Sequence, residues 1–95
     1  MPFVYLLRCG DGSLYAGAAK DLPRRLAQHQ TGRASRYTRG RLPVTLVWFR
    51  RVRSWSAALR GECAVKTLRR TDKDALVRGF TAPLRGVRGS TERRT

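Results

Sequence analysis

Residues Tyr5 to His29 run YLLRCGDGSLYAGAAKDLPRRLAQH, and their pattern sets out a strand, a tight turn, a second strand and a helix. Phe3 to Leu7 is an apolar run rich in strand formers. Cys9-Gly10-Asp11-Gly12-Ser13 follows it. Gly and Asp tolerate the positive φ that a hairpin loop requires, so this stretch reads as the turn. Leu14 to Ala18 returns as the second strand, and Lys20-Asp21 ends it. Asp21 is placed to cap a helix by accepting from the first free N–H groups, and Pro23 is tolerated within the first turn. That helix runs to about His29, with Leu22 and Leu26 one turn apart and facing inward.

Working outward, residues 31–43 (TGRASRYTRGRLP) are polar and basic and read as a loop. Val44 to Val52 is the strongest strand signal in the chain. Its apolar run is continuous rather than alternating, which points to burial on both faces. We expect it to be the central strand, flanked by the strands of Tyr5 and Tyr15. Ser54 caps the next helix, from Trp55 to about Arg69, whose inward stripe counts as Trp55, Ala58, Leu59, Glu62 and Val65. A short helix follows from Asp72 to Arg78. Residues 81–95 carry Gly, Pro, Thr and Arg without periodicity and read as a basic, flexible tail after a single domain over 1–80.

Ninety-five residues suffice for one domain with a modest core. The charge balance is more informative. Twenty-one Lys and Arg face six Asp and Glu, a formal charge of +15. Such a surface calls for a polyanion, and nucleic acid is the commonest partner. Eighteen of the cations are Arg and three are Lys, with no Ile or Asn anywhere, a usage that codon bias alone also produces. The two cysteines, Cys9 and Cys63, lack the close spacing of a zinc framework or a disulfide scaffold. No signal peptide and no membrane-spanning run is visible. A cytoplasmic location and no membrane partner are expected.

Several side chains have chemistry to offer. Glu62 is the only carboxylate between Asp21 and Asp72, and helical counting puts it on the apolar stripe. A charge there is costly unless paired or bound to metal. It can pair with one of the many arginines. It can also serve Mg²⁺ or Mn²⁺, since one carboxylate with waters and a substrate phosphate suits Mg²⁺. Arg25 and His29, at i and i+4, share a helix face, and one turn of spacing to Leu22 makes Arg25 rather than Arg24 the inner arginine. A guanidinium fork matches two phosphate oxygens, although a solvated basic face is the ordinary reading of such a helix. Tyr5 and Tyr15 can be plain strand aromatics. As proton acceptors near neutral pH they need neighbouring cations or metal. Arg33, Arg36, Arg39 and Arg41 in the 31–43 loop, with Tyr37 available to stack, would border a nucleic-acid groove, and Lys20 adds a cation beside the second strand.

These residues carry a resemblance. Tyr5-Leu6-Leu7 followed by Leu14-Tyr15-Ala16-Gly17 resembles the two half-motifs that name the GIY-YIG nuclease superfamily. Asp21-Leu22-x-x-Arg25-x-x-x-His29 resembles its helix with an Arg and a following His or Tyr. Ser35-Arg36-Tyr37-Thr38, then Arg41-x-Pro43-Val44-x-Leu46-Val47, is similar to small single-domain bacterial members and to structure-specific nuclease domains of the superfamily. Ala57-Ala58-x-x-x-Glu62-x-x-x-Lys66 resembles the metal-site helix. The resemblance spans about residues 3–78.

It implies an α+β fold: a three-stranded antiparallel sheet flanked by helices. It implies a site made of Tyr5, Tyr15, Arg25, His29 and Glu62. In that picture a divalent metal on Glu62, Mg²⁺ or Mn²⁺, binds the scissile phosphate. A Tyr takes a proton from the attacking water, and Arg25 steadies the charge of the transition state. The implied activity is metal-dependent endonuclease cleavage of DNA, structure-selective and serving repair or recombination, with a protein partner supplying specificity. Ala18 and Ala19 stand where relatives often carry Lys or polar residues. They favour the alternative, a nucleic-acid-binding module of the same fold that cuts weakly or not at all. An RNA-binding or ribosome-associated role driven by charge is a third reading.

Overall fold

The computed structural model describes residues 1–79; the tail expected over 81–95 lies outside them. Strand β1 spans Phe3–Arg8, β2 Leu14–Ala19 and β3 Thr45–Arg51. The helices are α1 Leu22–Gln30, α2 Arg36–Arg39, α3 Trp55–Lys66 and α4 Arg70–Arg78. The three strands form one antiparallel sheet, and helices cover both of its faces.

The local signals act as the sequence suggests. β1 and β2 pair directly through the 9–13 turn, where the Cys9 N–H donates to the Ser13 carbonyl at 2.9 Å. Asp21 Oδ1 accepts from the Arg24 N–H at 3.1 Å, and Ser54 Oγ accepts from the Ala57 N–H at 3.1 Å, so α1 and α3 both start on a side-chain cap. The stretch expected as loop contains one short helix, α2, capped by Ser35 Oγ on the Thr38 N–H at 3.3 Å.

Strand order corrects the sequence reading. The order is β2-β1-β3, so β1 is central and β3 is an edge. β1 is buried from Val4 through Leu7, whereas only Trp48 of β3 is fully buried. A continuous apolar run reports that both faces are covered; it does not report hydrogen bonding along both edges. The edge is marked instead by Arg50 and Arg51, both exposed, which blunt the open strand with charge. A register shift between Leu6 and Leu7 also bulges β3: Leu6 faces Trp48 while Leu7 faces Leu46, leaving Val47 as the extra residue. Val47 and Trp48 consequently both pack on the same side of the sheet, which breaks the alternation.

Two cores lie on the two faces. Tyr5, Leu7, Cys9 and Ala19 bury against Leu22 of α1 and Val44, with Tyr15 and Leu26 packed alongside. Val4, Leu6, Ala16 and Trp48 bury against Ala58 and Val65 of α3, with Leu76 and Val77 of α4 alongside. Gly61 permits this second contact, since a Cβ there would lie 2.7 Å from Val4 Cγ2. Glycine inside a helix costs about 1 kcal/mol relative to alanine, and here it lets α3 seat closely on β1 one residue before Glu62. Of the stripe counted on α3, Ala58 and Val65 are buried, but Trp55 and Leu59 are exposed at 37% and 46%. The inner face is therefore narrower than helical counting suggests.

Candidate active site

Among the described residues β2 is the other edge of the sheet, and between Tyr15 and Lys20 it carries only Ala16, Gly17, Ala18 and Ala19. Small residues on this edge leave room for Trp55 of α3 to border the same cleft as Arg24, Arg25 and Gln28 of α1. Tyr5 stands opposite Gly17 in the β1–β2 register, and its ring lies across that glycine. A Cβ on Gly17 would fall 2.5 Å from Tyr5 Cζ and would also strike the phenol oxygen, so only glycine admits the ring here.

The Tyr5 hydroxyl is 2.8 Å from His29 Nε2, and His29 Nδ1 is 2.8 Å from Thr38 Oγ1. His29 is 1% exposed, Tyr5 2% and Thr38 fully enclosed. The directions of these bonds follow from the end of the chain. The Thr38 hydroxyl donates to the Ser35 carbonyl at 3.4 Å, leaving its oxygen to accept from Nδ1–H. Nε2 is then the lone-pair nitrogen, and the Tyr5 hydroxyl donates to it. Burial, reinforced by the nearby Arg25 guanidinium, pushes the His29 pKa down to about 4, so the ring is neutral at neutral pH, as this chain requires. Burial, with Tyr15 adding to it, pushes the Tyr5 phenol well above its usual value, and Arg25 offsets part of that rise. Tyr5 is therefore a fixed donor.

Tyr15 is more accessible than Tyr5 and sits edge-on to His29, with ring centroids 5.3 Å apart. Its other neighbour is Tyr37, stacked at 5.7 Å. Arg25 is half-buried while Arg24 is exposed, so Arg25 is the inner arginine. Tyr5 feels the charges of both Arg25 and Glu62, which places α1 and α3 side chains around one phenol. Distances join Tyr5, Tyr15 and His29 directly, and Arg25 from α1 and Glu62 from α3 act on Tyr5 through their charge, so the five come from four different elements.

Among the described residues Glu62 pairs with no arginine. Its Oε2 accepts from Lys66 Nζ at 2.8 Å, one turn along the same helix, and this hydrogen bond raises the Lys66 pKa. Among the described residues no three His, Cys, Asp or Glu side chains cluster as a metal cage. Glu62 offers one carboxylate beside cationic and phenolic groups. That donor set fits Mg²⁺ or Mn²⁺, which take most of their ligands from water and phosphate.

The residues expected to bind nucleic acid divide. Arg33, Arg36 and Arg39 line a shallow cleft of about 360 Å³ with Gly32, Ala34 and Ser35. Lys20 lines another, of about 390 Å³, with Arg24, Arg25, Gln28 and Trp55. Arg41 and Tyr37 are engaged within the protein. Arg41 Nε donates to Asp11 Oδ2 at 3.0 Å, and its guanidinium lies 3.9 Å from the Tyr37 ring centroid. Together they form a strut from the hairpin turn to Tyr15. Thr38, Gly17 and Lys66 were not singled out as site residues in the sequence. The Ser35-x-x-Thr38 cap spacing was the available signal for Thr38, since a helix start there turns its hydroxyl toward the inner face of α1.

The GIY-YIG catalytic domain family matches this chain over residues 1–74. A UPF0213 protein of Vibrio cholerae is 47% identical over 82% of this chain and 78% of its own. One from Natronomonas pharaonis is 45% identical over 79% and 88%. The solution NMR structure of a UPF0213 protein from Bacillus halodurans aligns with a TM-score of 0.53 at 43% identity, covering 82% of this chain and 84% of that one. The two tyrosines across β1 and β2, the Arg and His of α1 and the Glu of α3 thus sit in a domain of nuclease type, and the chain belongs to the GIY-YIG family.

Proposed function

We propose that this protein is a divalent-metal-dependent endonuclease that hydrolyses DNA phosphodiester bonds. The observation that carries the reading is the convergence of two phenols, one guanidinium, one neutral histidine and one carboxylate at the β2 edge, next to basic clefts. Arg25 holds the scissile phosphate through its fork and stabilises the charge that builds on it. Tyr15 is the accessible phenol; with its own proton given up to solvent, its phenolate oxygen takes the proton of the attacking water. Tyr5, donating to His29, sets the floor against which Tyr15 and the phosphate are positioned. Thr38 keeps His29 in the tautomer that accepts from Tyr5. Glu62 would hold the Mg²⁺ or Mn²⁺, which supplies positive charge at the phosphate and favours ionisation of nearby groups.

The basic clefts supply affinity. The α1 face carries a second cleft, lined by Arg24, Ala27, Gln28, Thr31 and Arg33, that shares Arg24 and Gln28 with the Lys20 cleft and Arg33 with the α2 cleft. The three make one basic track. Replacing Arg33 and Arg36 with Gln is expected to weaken DNA binding and lower the salt slope by about one per lost phosphate contact. Arg41→Gln, which removes an internal strut, is expected to leave that slope unchanged. Fluorescence anisotropy against salt concentration reads both.

A cleavage panel of labelled single strand, duplex, flap and branched DNA, with Mg²⁺, Mn²⁺ or EDTA, tests the activity. Cleavage that requires metal supports the endonuclease. Salt-sensitive binding without cleavage of any member identifies a binding module instead. Repair or recombination is the setting that structure-selective cleavage would serve, with a protein partner directing the enzyme to its substrate.

A further inference from the structure

Trp55, the first residue of α3, stands at one end of the basic track. It is 37% exposed, whereas the other tryptophan, Trp48, is 7% exposed and part of the core. Lys20 Nζ lies 5.3 Å from the Trp55 ring centroid. The indole borders the 390 Å³ cleft whose remaining walls are Ala19, Lys20, Asp21, Arg24, Arg25 and Gln28. Among the described lining residues Asp21 is the one acid, and its Oδ1 accepts from the Arg24 N–H as the α1 cap. Lys20, Arg24 and Arg25 outnumber that single carboxylate, and one amide and one large aromatic plane stand beside them.

We propose that this cleft is a nucleotide subsite. It receives one unpaired nucleotide of the bound strand, the base stacked on the Trp55 indole and the adjoining phosphate on Lys20 and Arg24. A base inside a duplex is stacked on both faces and has no free plane to offer. A single strand does, and cationic grooves with aromatic plates are how proteins hold single strands. The lysine over the indole is a weak, exposed cation–π contact, which an incoming base can replace while Lys20 turns to the phosphate. Gln28 presents both donor and acceptor to a base edge. Arg25 belongs to this cleft and to the catalytic cluster, so the subsite neighbours the scissile phosphate. The inference deepens the endonuclease reading and rests on it for that neighbourhood: the substrate is a strand that is single or frayed at the cut.

The test is a fluorescence and anisotropy titration of the full chain, in EDTA, with a ten-residue oligodeoxythymidylate and with a blunt duplex of equal length. The single strand is expected to quench the indole emission. Trp55→Ala should weaken single-strand binding roughly tenfold, within the range for losing one stacked base, and Trp55→Phe should restore most of it. Duplex affinity should change by less than about twofold. An unquenched wild-type indole overturns the subsite, as does a Trp55→Ala affinity that is unchanged or falls equally for both probes. If Trp55-dependent single-strand binding is present but nothing is cleaved with metal, the subsite stands and the endonuclease reading fails. If cleavage occurs and Trp55→Ala binds the single strand normally, the subsite fails and the enzyme stands.

Discussion

Glu62→Gln is expected to abolish cleavage while DNA binding stays intact or tightens slightly. The change removes the carboxylate that would hold the metal and almost nothing else, because glutamine has nearly the same shape. Loss of several kcal/mol of transition-state stabilisation corresponds to about three orders of magnitude in rate, at roughly 1.4 kcal/mol per tenfold. Binding should not suffer, since a negative charge beside a polyanion site is removed. The structure also decides the effect on stability. A buried pair with arginine would cost about 3–5 kcal/mol to break. Glu62 instead pairs with Lys66 on its own helix, with their side chains 21% and 54% exposed. Such a solvent-screened i,i+4 pair contributes about 0.3–0.5 kcal/mol. The melting temperature should thus move by no more than about 3 °C. A large drop in melting temperature, with activity falling only in proportion to folded protein, would make Glu62 structural.

His29→Ala is expected to cost the most stability of any single change at the site, about 3–5 kcal/mol. It leaves a cavity and strands the Tyr5 and Thr38 hydroxyls, both buried, without their partner. That is a large share of the 5–15 kcal/mol typical of a domain. The same residue makes stability depend on pH. In the folded chain His29 stays neutral down to about pH 4, whereas the unfolded ring takes a proton near its ordinary 6.5. Between those values the unfolded state binds more protons, so stability falls as pH drops through that window and is unaffected above it. The full loss is on the order of 3 kcal/mol, at about 1.4 kcal/mol per pH unit. Urea unfolding at pH 7.5 and pH 4.5 reads it directly. His29→Gln, which cannot titrate, should show a much smaller difference between the two; an equal difference would place the pH dependence elsewhere.

Legibility in the sequence followed locality. The β1–β2 hairpin and α1 were readable because the Gly-Asp-Gly turn, the Asp21 cap and the Leu22/Leu26 spacing all act within a few residues. From them came Tyr5, Tyr15, Arg25 and His29. Strand order was not readable, because a hydrophobic run carries information about faces and none about edges; the exposed Arg50 and Arg51 were the better guide. α2 escaped notice because four polar and basic residues show no periodicity, and Thr38 was missed as the partner of His29 with it. Arg41 reads in the sequence as a groove cation, and its bond to Asp11, thirty positions away in the hairpin turn, is a pairing that only the fold creates. Trp55 fell on the counted inner stripe of α3, yet it sits in the helix's first turn, beside Lys20 at the end of β2, where it borders an open cleft instead of the core.

The most direct test of a hydrolytic site at the β2 edge is the single-turnover cleavage rate of Tyr15→Phe beside wild type, at saturating DNA with Mg²⁺. The substitution deletes one oxygen from the accessible phenol and leaves the ring stacked on Tyr37. General acid–base catalysis contributes typically about 10²–10⁴-fold, so the variant should bind DNA as wild type does and cut it at least about a hundredfold more slowly. A Tyr15→Phe rate within about twofold of wild type would contradict the assignment of the proton transfer to this phenol, and no metal-dependent cleavage by wild type would contradict the site itself.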